Sequence, residues 1–183
     1  MLGEDGGLRS ANPPYGPAGN TMLDNFKWPK IEHEADKVVI RNVRESGCHI
    51  VGIPNGDPEF AFSIGLFLNY DHPEIIIIGL DGDDAAVIIN DIRDRAAKGR
   101  KFSDGDICDD LLADHKVCFV EVPLEAYANY LGIAIWFYEK LSRPFPCLQM
   151  VWPDREGRFP WDPGAGEDFK KYQAVLGAFR SFQ

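Results

Sequence analysis

The chain has 183 residues and a mass of 20.5 kDa, enough for one domain with a real core and too short for two to be expected. Its formal net charge of -10 and pI near 4.8 repel phosphate backbones and anionic headgroups, and no basic patch offsets them, so neither nucleic acid nor a membrane is an expected partner. No apolar run reaches the roughly 18 residues of a membrane span, and no basic segment followed by an apolar one opens the chain. Cys48, Cys108, Cys118 and Cys147 sit mostly in strand-like apolar contexts, unlike a disulfide framework, so reduced thiols in a cytoplasm are the simpler account.

In chain order, Met1 to Thr21 is rich in Gly and Pro with almost no apolar periodicity, and it is expected to be a disordered N-terminal segment. From Trp28 the pattern changes. Pro29 suits a first helical position, and Ile31, Ala35, Val38, Val39 and Asn42 follow helical spacing up to Gly47, which predicts one amphipathic helix. Cys48 to Ile53 reads as a strand, and Pro54-Asn55-Gly56-Asp57-Pro58 as the turn returning the chain antiparallel into Phe60.

The run from Phe60 to Leu80 is the predicted centre of the sheet. Phe60, Phe62, Ile64 and Leu66 alternate with Ala61, Ser63 and Gly65, a large face against a small one that something must approach closely. After a polar turn, Glu74 to Leu80 carries four consecutive isoleucines and reads as a strand covered on both faces. Asp81-Gly82-Asp83-Asp84 supplies helix-capping oxygens, and Ala85, Ile88, Ile89, Ile92 and Ala96 form the stripe of a helix ending at Gly99. Arg100 to Asp114 reads as a polar connection and Lys116 to Val122 as a strand. Pro123 then opens a long helix through Tyr138 that is apolar on more than one side. Cys147 to Trp152 is the last predicted strand, Pro153 to Gly166 a Pro-stiffened loop, and Phe169 to Phe179 a short closing helix. The result is an α+β class: a single domain over residues 22–183, with a mixed, mostly antiparallel sheet of about five strands and three to four helices.

Four motifs in this order, Phe62-Ser63-Ile64-Gly65-Leu66, His72-Pro73-Glu74, Gln149-Met150-Val151-Trp152-Pro153-Asp154 and Gly157-Arg158-Phe159-Pro160-Trp161, resemble a bacterial family catalogued as domain of unknown function 4262. The resemblance covers roughly Gly47 to Trp161. Where the family usually has Tyr-Thr before its Gly-Leu pair, this chain has Phe62 and Ser63, which drops a phenol and keeps a small hydroxyl. The resemblance implies a fold and a shared surface, and carries no activity with it.

The candidate chemistry gathers at strand ends. His72 and Glu74 offer an imidazole and a carboxylate that could act as base and orienter, although His72 also suits turn capping and Pro73 fixes strand entry. Gln149, Trp152, Asp154 and Trp161, with Phe159 and the prolines, could line a pocket or close a core. Cys108, His115 and Cys118 lack paired zinc spacing, so no metal and no cofactor is expected, and Cys48 beside His49 faces away from it on a strand. The predicted function is a binding or interaction module with ligand residues Ser63, His72, Gln149, Trp152, Asp154 and Trp161. Its partner would be an unidentified small molecule or protein, for example a basic toxin surface masked by an acidic immunity-type protein. The enzymatic alternative is a small hydrolase or transferase with His72 as general base, assisted by Glu74 or Asp154. Either scheme expects His72 and the Trp152 to Trp161 loop on one rim, which requires their strands to run antiparallel.

Overall fold

The computed structural model describes residues 21–179, so the segment Met1 to Thr21 predicted to be disordered falls almost wholly outside the described residues. Within them a six-stranded sheet runs in the order β1-β2-β3-β6-β5-β4, from β1 (His49–Ile53), β2 (Phe60–Ile64), β3 (Glu74–Ile78), β4 (Ile107–Leu112), β5 (His115–Glu121) and β6 (Cys147–Val151). Every pairing is antiparallel except β3 with β6, where Glu74 lies opposite Cys147 and Ile76 opposite Gln149 in a parallel register. The helices are α1 (Thr21–Asn25), α2 (Glu34–Ser46), α3 (Leu66–Tyr70), α4 (Gly82–Ala97), α5 (Leu124–Tyr130), α6 (Gly132–Phe137) and α7 (Glu167–Tyr172). The class is α+β as expected. None of these helices is long and apolar enough to cross a membrane.

Ile75 to Ile78 are fully buried because β3 is covered on both faces. Ile75 and Ile77 pack with Ala85, Ile88, Ile89 and Ile92 of α4, while Ile76 and Ile78 pack with Val39, Ile40 and Val43 of α2 and with Ala134 and Phe137 of α6. Each such side chain contributes about 2 to 3 kcal/mol by leaving water. The Asp81 carboxylate accepts the Asp83 amide at 2.9 Å and so starts α4 where the sequence placed it.

Four expectations are corrected. The first helix begins at Glu34 and not at Pro29, because Asp36 reaches back to accept the amides of Glu32 and His33 at 2.8 and 2.9 Å. Its buried face is Val39, Ile40 and Val43, leaving Ile31 and Val38 exposed. The first central strand stops at Ile64: Gly65 takes φ 113°, and the chain turns into α3. The polar connection Arg100 to Asp114 contains an edge strand, β4, whose Asp109 and Asp110 face solvent and erase its apolar alternation. The long helix predicted from Pro123 is two short ones broken at Leu131, and Leu124, Ile133 and Ile135 are exposed.

Candidate functional site

Gly65 determines what Glu74 becomes. A Cβ there would meet Val43 Cγ1 at 2.9 Å and the Gly47 carbonyl at 3.0 Å, so the end of α2 closes on the turn that follows β2. The small face of β2 itself, at Ala61, is covered by the α4 layer, and α2 packs on the Phe62 and Ile64 face. The turn at Gly65 aims two backbone amides at the Glu74 carboxylate: Gly65 and Phe67 donate to Oε1 at 2.8 and 3.1 Å. Tyr138 donates its hydroxyl to Oε1 at 2.5 Å and Ser63 donates to Oε2 at 2.5 Å, while the Ser63 oxygen accepts the Ile75 amide at 2.9 Å. Burial pushes the Glu74 carboxyl above its usual range, against the pull of these donors in the other direction, and burial likewise pushes up the Tyr138 phenol. Ser63 and Glu74 are thus a buried clasp joining β2, α3, β3 and the end of α6, with neither side chain open to a ligand.

His72 is equally enclosed. Its ring is fully buried; Nδ1 donates to the Pro73 carbonyl at 2.7 Å and Nε2 accepts the Phe102 amide at 3.1 Å, which defines a neutral tautomer. Burial lowers its basicity further. The geometry leaves no ring nitrogen for proton transfer to a substrate.

The other candidates lie elsewhere. Because β3 and β6 are parallel, His72 precedes the start of one strand while Trp152 follows the end of the other, so the two groups occupy opposite ends of the sheet. The expected common rim does not form. Gln149, Trp152 and Trp161 are brought together instead by the C-terminal segment. Gln149 donates through Nε2 to the Ala174 carbonyl and accepts the Leu176 amide on Oε1, both at 2.8 Å. Gln173 accepts the Trp152 amide at 2.8 Å and donates to its carbonyl at 2.6 Å, and Trp152 Nε1 donates to the Ile78 carbonyl at 2.9 Å. Trp161 stacks on Phe159 at 5.0 Å and on Phe179 at 4.3 Å between ring centroids. Asp154 holds its own turn, accepting the amides of Glu156 and Arg158 and the Arg158 guanidinium at 2.8 to 3.0 Å. Partial burial raises its carboxyl, yet these hydrogen bonds leave it below the usual range.

All four cysteines are buried and free. Burial pushes the Cys48 and Cys118 thiols up to about 12, so both stay protonated and non-nucleophilic at neutral pH. Among the described residues no group of three or more His, Cys, Asp and Glu side chains is placed to hold a metal ion.

One open feature went unread in the sequence. The C-terminal end of α2, the end of α3 and the last turns of α4 enclose a cleft of about 580 Å³ lined by Glu45, Ser46, Tyr70, Arg93, Asp94, Ala97 and Lys98. Gly47 makes its back wall possible: it ends α2 at φ 81°, and a Cβ there would overlap the Tyr70 hydroxyl. Tyr70 is only 6% exposed as a residue, and its hydroxyl, which makes no hydrogen bond to another described residue, is not sealed in the fold but reaches the cleft. Arg93 is steered by Asp94, which takes Nε and Nη2 at 3.0 and 2.8 Å, and by Asn90, which takes Nη1 at 2.8 Å. Glu45 and Lys98 form no ion pair among the described residues. Three segments far apart in sequence converge here, and only Tyr70, two residues before His72, sits beside a motif that the sequence singled out.

A family model described as Domain of unknown function (DUF4262) matches residues 42–166. No curated protein and no solved structure matches the chain.

Proposed function

The chain belongs to the family described as Domain of unknown function (DUF4262), and we propose that it is a binding module holding a small polar molecule in the Tyr70–Arg93 cleft. The observation that carries this reading is the Tyr70 hydroxyl, unpartnered at the wall of a cavity of about 580 Å³ while its ring is buried. Pockets that orient ligands are built this way, a few fixed polar groups on a firm wall. Arg93 and Asp94 neutralise each other, so Glu45 and Lys98 supply the available charges, one of each sign. That set suits a ligand carrying both an ammonium and a carboxylate, on the scale of an amino acid or dipeptide. The hydrolase or transferase reading has less support, since His72 and Glu74 spend their polar atoms inside the fold. Four reduced cysteines fit a reducing cytoplasm as the place of action.

A panel of amino acids and dipeptides, screened by thermal shift and by chemical-shift mapping, tests the proposal. A binder should raise the melting temperature of the wild type and move resonances of Ser46, Tyr70 and Lys98. Tyr70→Phe should fold normally and lose roughly tenfold in affinity, as expected when one hydrogen bond is removed. If no member of the panel shifts the wild type, or if binders are indifferent to Y70F, the cleft is not the site.

A further inference from the structure

The strip of sheet face over β5 and β6 is finished by a part of the chain that barely belongs to the core. Cys118, Val120 and Val151 form a small cluster there, and what covers them is Phe159, Trp161, Val175 and Phe179. No residue of α7 is buried, and of the segment from Gln173 to Phe179 only Gln173 is. Residues 174–179 are non-helical and make no backbone-to-backbone hydrogen bond with the rest of the described chain. Side chains hold them instead. Gln149, fully buried in the middle of β6, spends both ends of its amide on the carbonyl of Ala174 and the amide of Leu176. A side-chain amide that grips the main chain at two positions two residues apart reads backbone and not sequence. Selectivity comes from two further contacts. A Cβ at Gly177 would overlap the Glu121 carbonyl oxygen, so that position admits only glycine; two residues on, Phe179 lies on Trp161 with its ring 4° from parallel.

The segment also leaves room. Between it and the Pro160–Trp161 turn a pocket of about 350 Å³ remains, lined by Trp161, Lys170, Val175 and Phe179 among others. The gripping residues Gln149, Trp152 and Trp161 lie inside the span 42–166 matched by the family model, and the gripped segment lies outside it.

We infer that this groove is a peptide-binding site, that Gln173–Phe179 is its resident ligand, and that it accepts in exchange a segment of a partner protein carrying a glycine followed two residues later by an aromatic. The site is separate from the Tyr70–Arg93 cleft, and it stands or falls independently. Its energetic logic is that of a tethered competitor: a short linker gives the resident segment an effective concentration on the order of millimolar, so only a better-fitting peptide displaces it.

The test uses the full chain and fluorescently labelled peptides: residues 167–179 of this chain, an unrelated 13-residue peptide with the same Gly-x-Phe spacing, and versions of that peptide with Gly→Val or Phe→Ala. Gly177→Val in the protein drives a side chain into the Glu121 carbonyl and should free the groove, seen as lost hydrogen-exchange protection of the Leu176 amide. The G177V chain should then bind both Gly-x-Phe peptides at least about tenfold more tightly than the wild type, and adding Gln149→Ala should reverse about tenfold of that, the effect of losing two backbone hydrogen bonds. The Gly→Val and Phe→Ala peptides should bind poorly to every chain. Should G177V fail to fold, Phe179→Ala, which removes one stacking contact, replaces it. A segment that is freed while no peptide binds overturns the inference. So does a segment that stays protected in both variants, peptide binding indifferent to Q149A, or a G177V chain that turns dimeric and excludes the peptides.

Discussion

Two places along the parallel pair β3–β6, the start of β3 and the C-terminal side of β6 from its middle onward, solve the same problem in different ways. At the start of β3 a buried carboxylate, Glu74, is satisfied by groups of the framework itself: the amides of Gly65 and Phe67 and the hydroxyls of Ser63 and Tyr138. In the middle of β6 a buried amide, Gln149, is satisfied by Ala174 and Leu176 of a segment laid on afterwards. Both residues are fully buried and polar, and both drew notice as candidate site residues, Glu74 for catalysis and Gln149 for ligand binding. What separates them is who supplies the partners. Donors that come from the sheet and its turns cannot withdraw without unfolding, which makes Glu74 a fastener. Partners that come from a half-exposed segment can withdraw into water, so Gln149 can be a receptor. A buried polar group is therefore ambiguous until the source of its hydrogen bonds is known.

The sharpest way to break this comparison is Glu74→Ala. The substitution strands four donors in a site that water does not reach, and it should cost about 4 kcal/mol or more. Denaturant titration should show that loss, or no folded protein at all. Near-wild-type stability would mean that the Glu74 end can rearrange and that the contrast is false. Gly65→Ala follows. It forces a side chain toward Val43 at a backbone φ of 113° and should cost about 1 to 3 kcal/mol, measured in the same way. At the other end Gln149→Leu should cost only about 1 kcal/mol, because Ala174 and Leu176 can lift away and hydrate instead of remaining buried and unpaired. Its signature is selective: hydrogen exchange at Leu176 and Trp152 should speed up while the Ile75 amide stays protected. Global loosening in Q149L would erase the distinction.

How far these ends were legible from the sequence follows from the same physics. The isoleucines of β3 and the stripe of α4 are written in local spacing, so both were read in place. The strand β4 was not, because an edge strand that shows Asp109 and Asp110 to water looks like a loop. The turn into α3 was hidden because Phe62, Ile64 and Leu66 alternate straight through Gly65, whose positive φ has no sequence signature beyond being glycine. Leu66 consequently packs with the α4 layer and not with Phe62 and Ile64. For the site, aromatic and amide residues from Gln149 to Trp161 stood out by composition, but their partners come from a stretch that read as a closing helix. Strand direction, on which the common rim depended, is a long-range property: residues 79–146 separate β3 from β6, and nothing in either strand states how the chain returns.

His72 gives the finest test, since it lies at the fastened end yet carries a group that titrates near neutrality. Its Nε2 accepts the Phe102 amide and its ring is buried, so a second proton would break that bond and charge an enclosed site. Burial accordingly holds its folded-state pKa below the ordinary 6.5, with the positive charge of Lys101 acting in the same direction and the Pro73 carbonyl opposing. As pH falls through 6.5 the unfolded chain takes up this proton before the folded one does. The contribution is therefore complete above that pH and is lost as pH drops toward the folded value. His49 shifts in the same direction and for the same reason, so total stability cannot isolate His72. A comparison with His72→Gln, which keeps an oxygen to accept from Phe102 and removes the titration, does isolate it. Between about pH 7.5 and about pH 5 the wild type should lose stability more steeply than H72Q, with the curves parallel above neutrality. Parallel curves over the whole range would mean that the ring is protonated or hydrated in the folded state. The β3 end would then be open in the way that the Gln149 end is, and the His72 nitrogens would return as candidates for proton transfer.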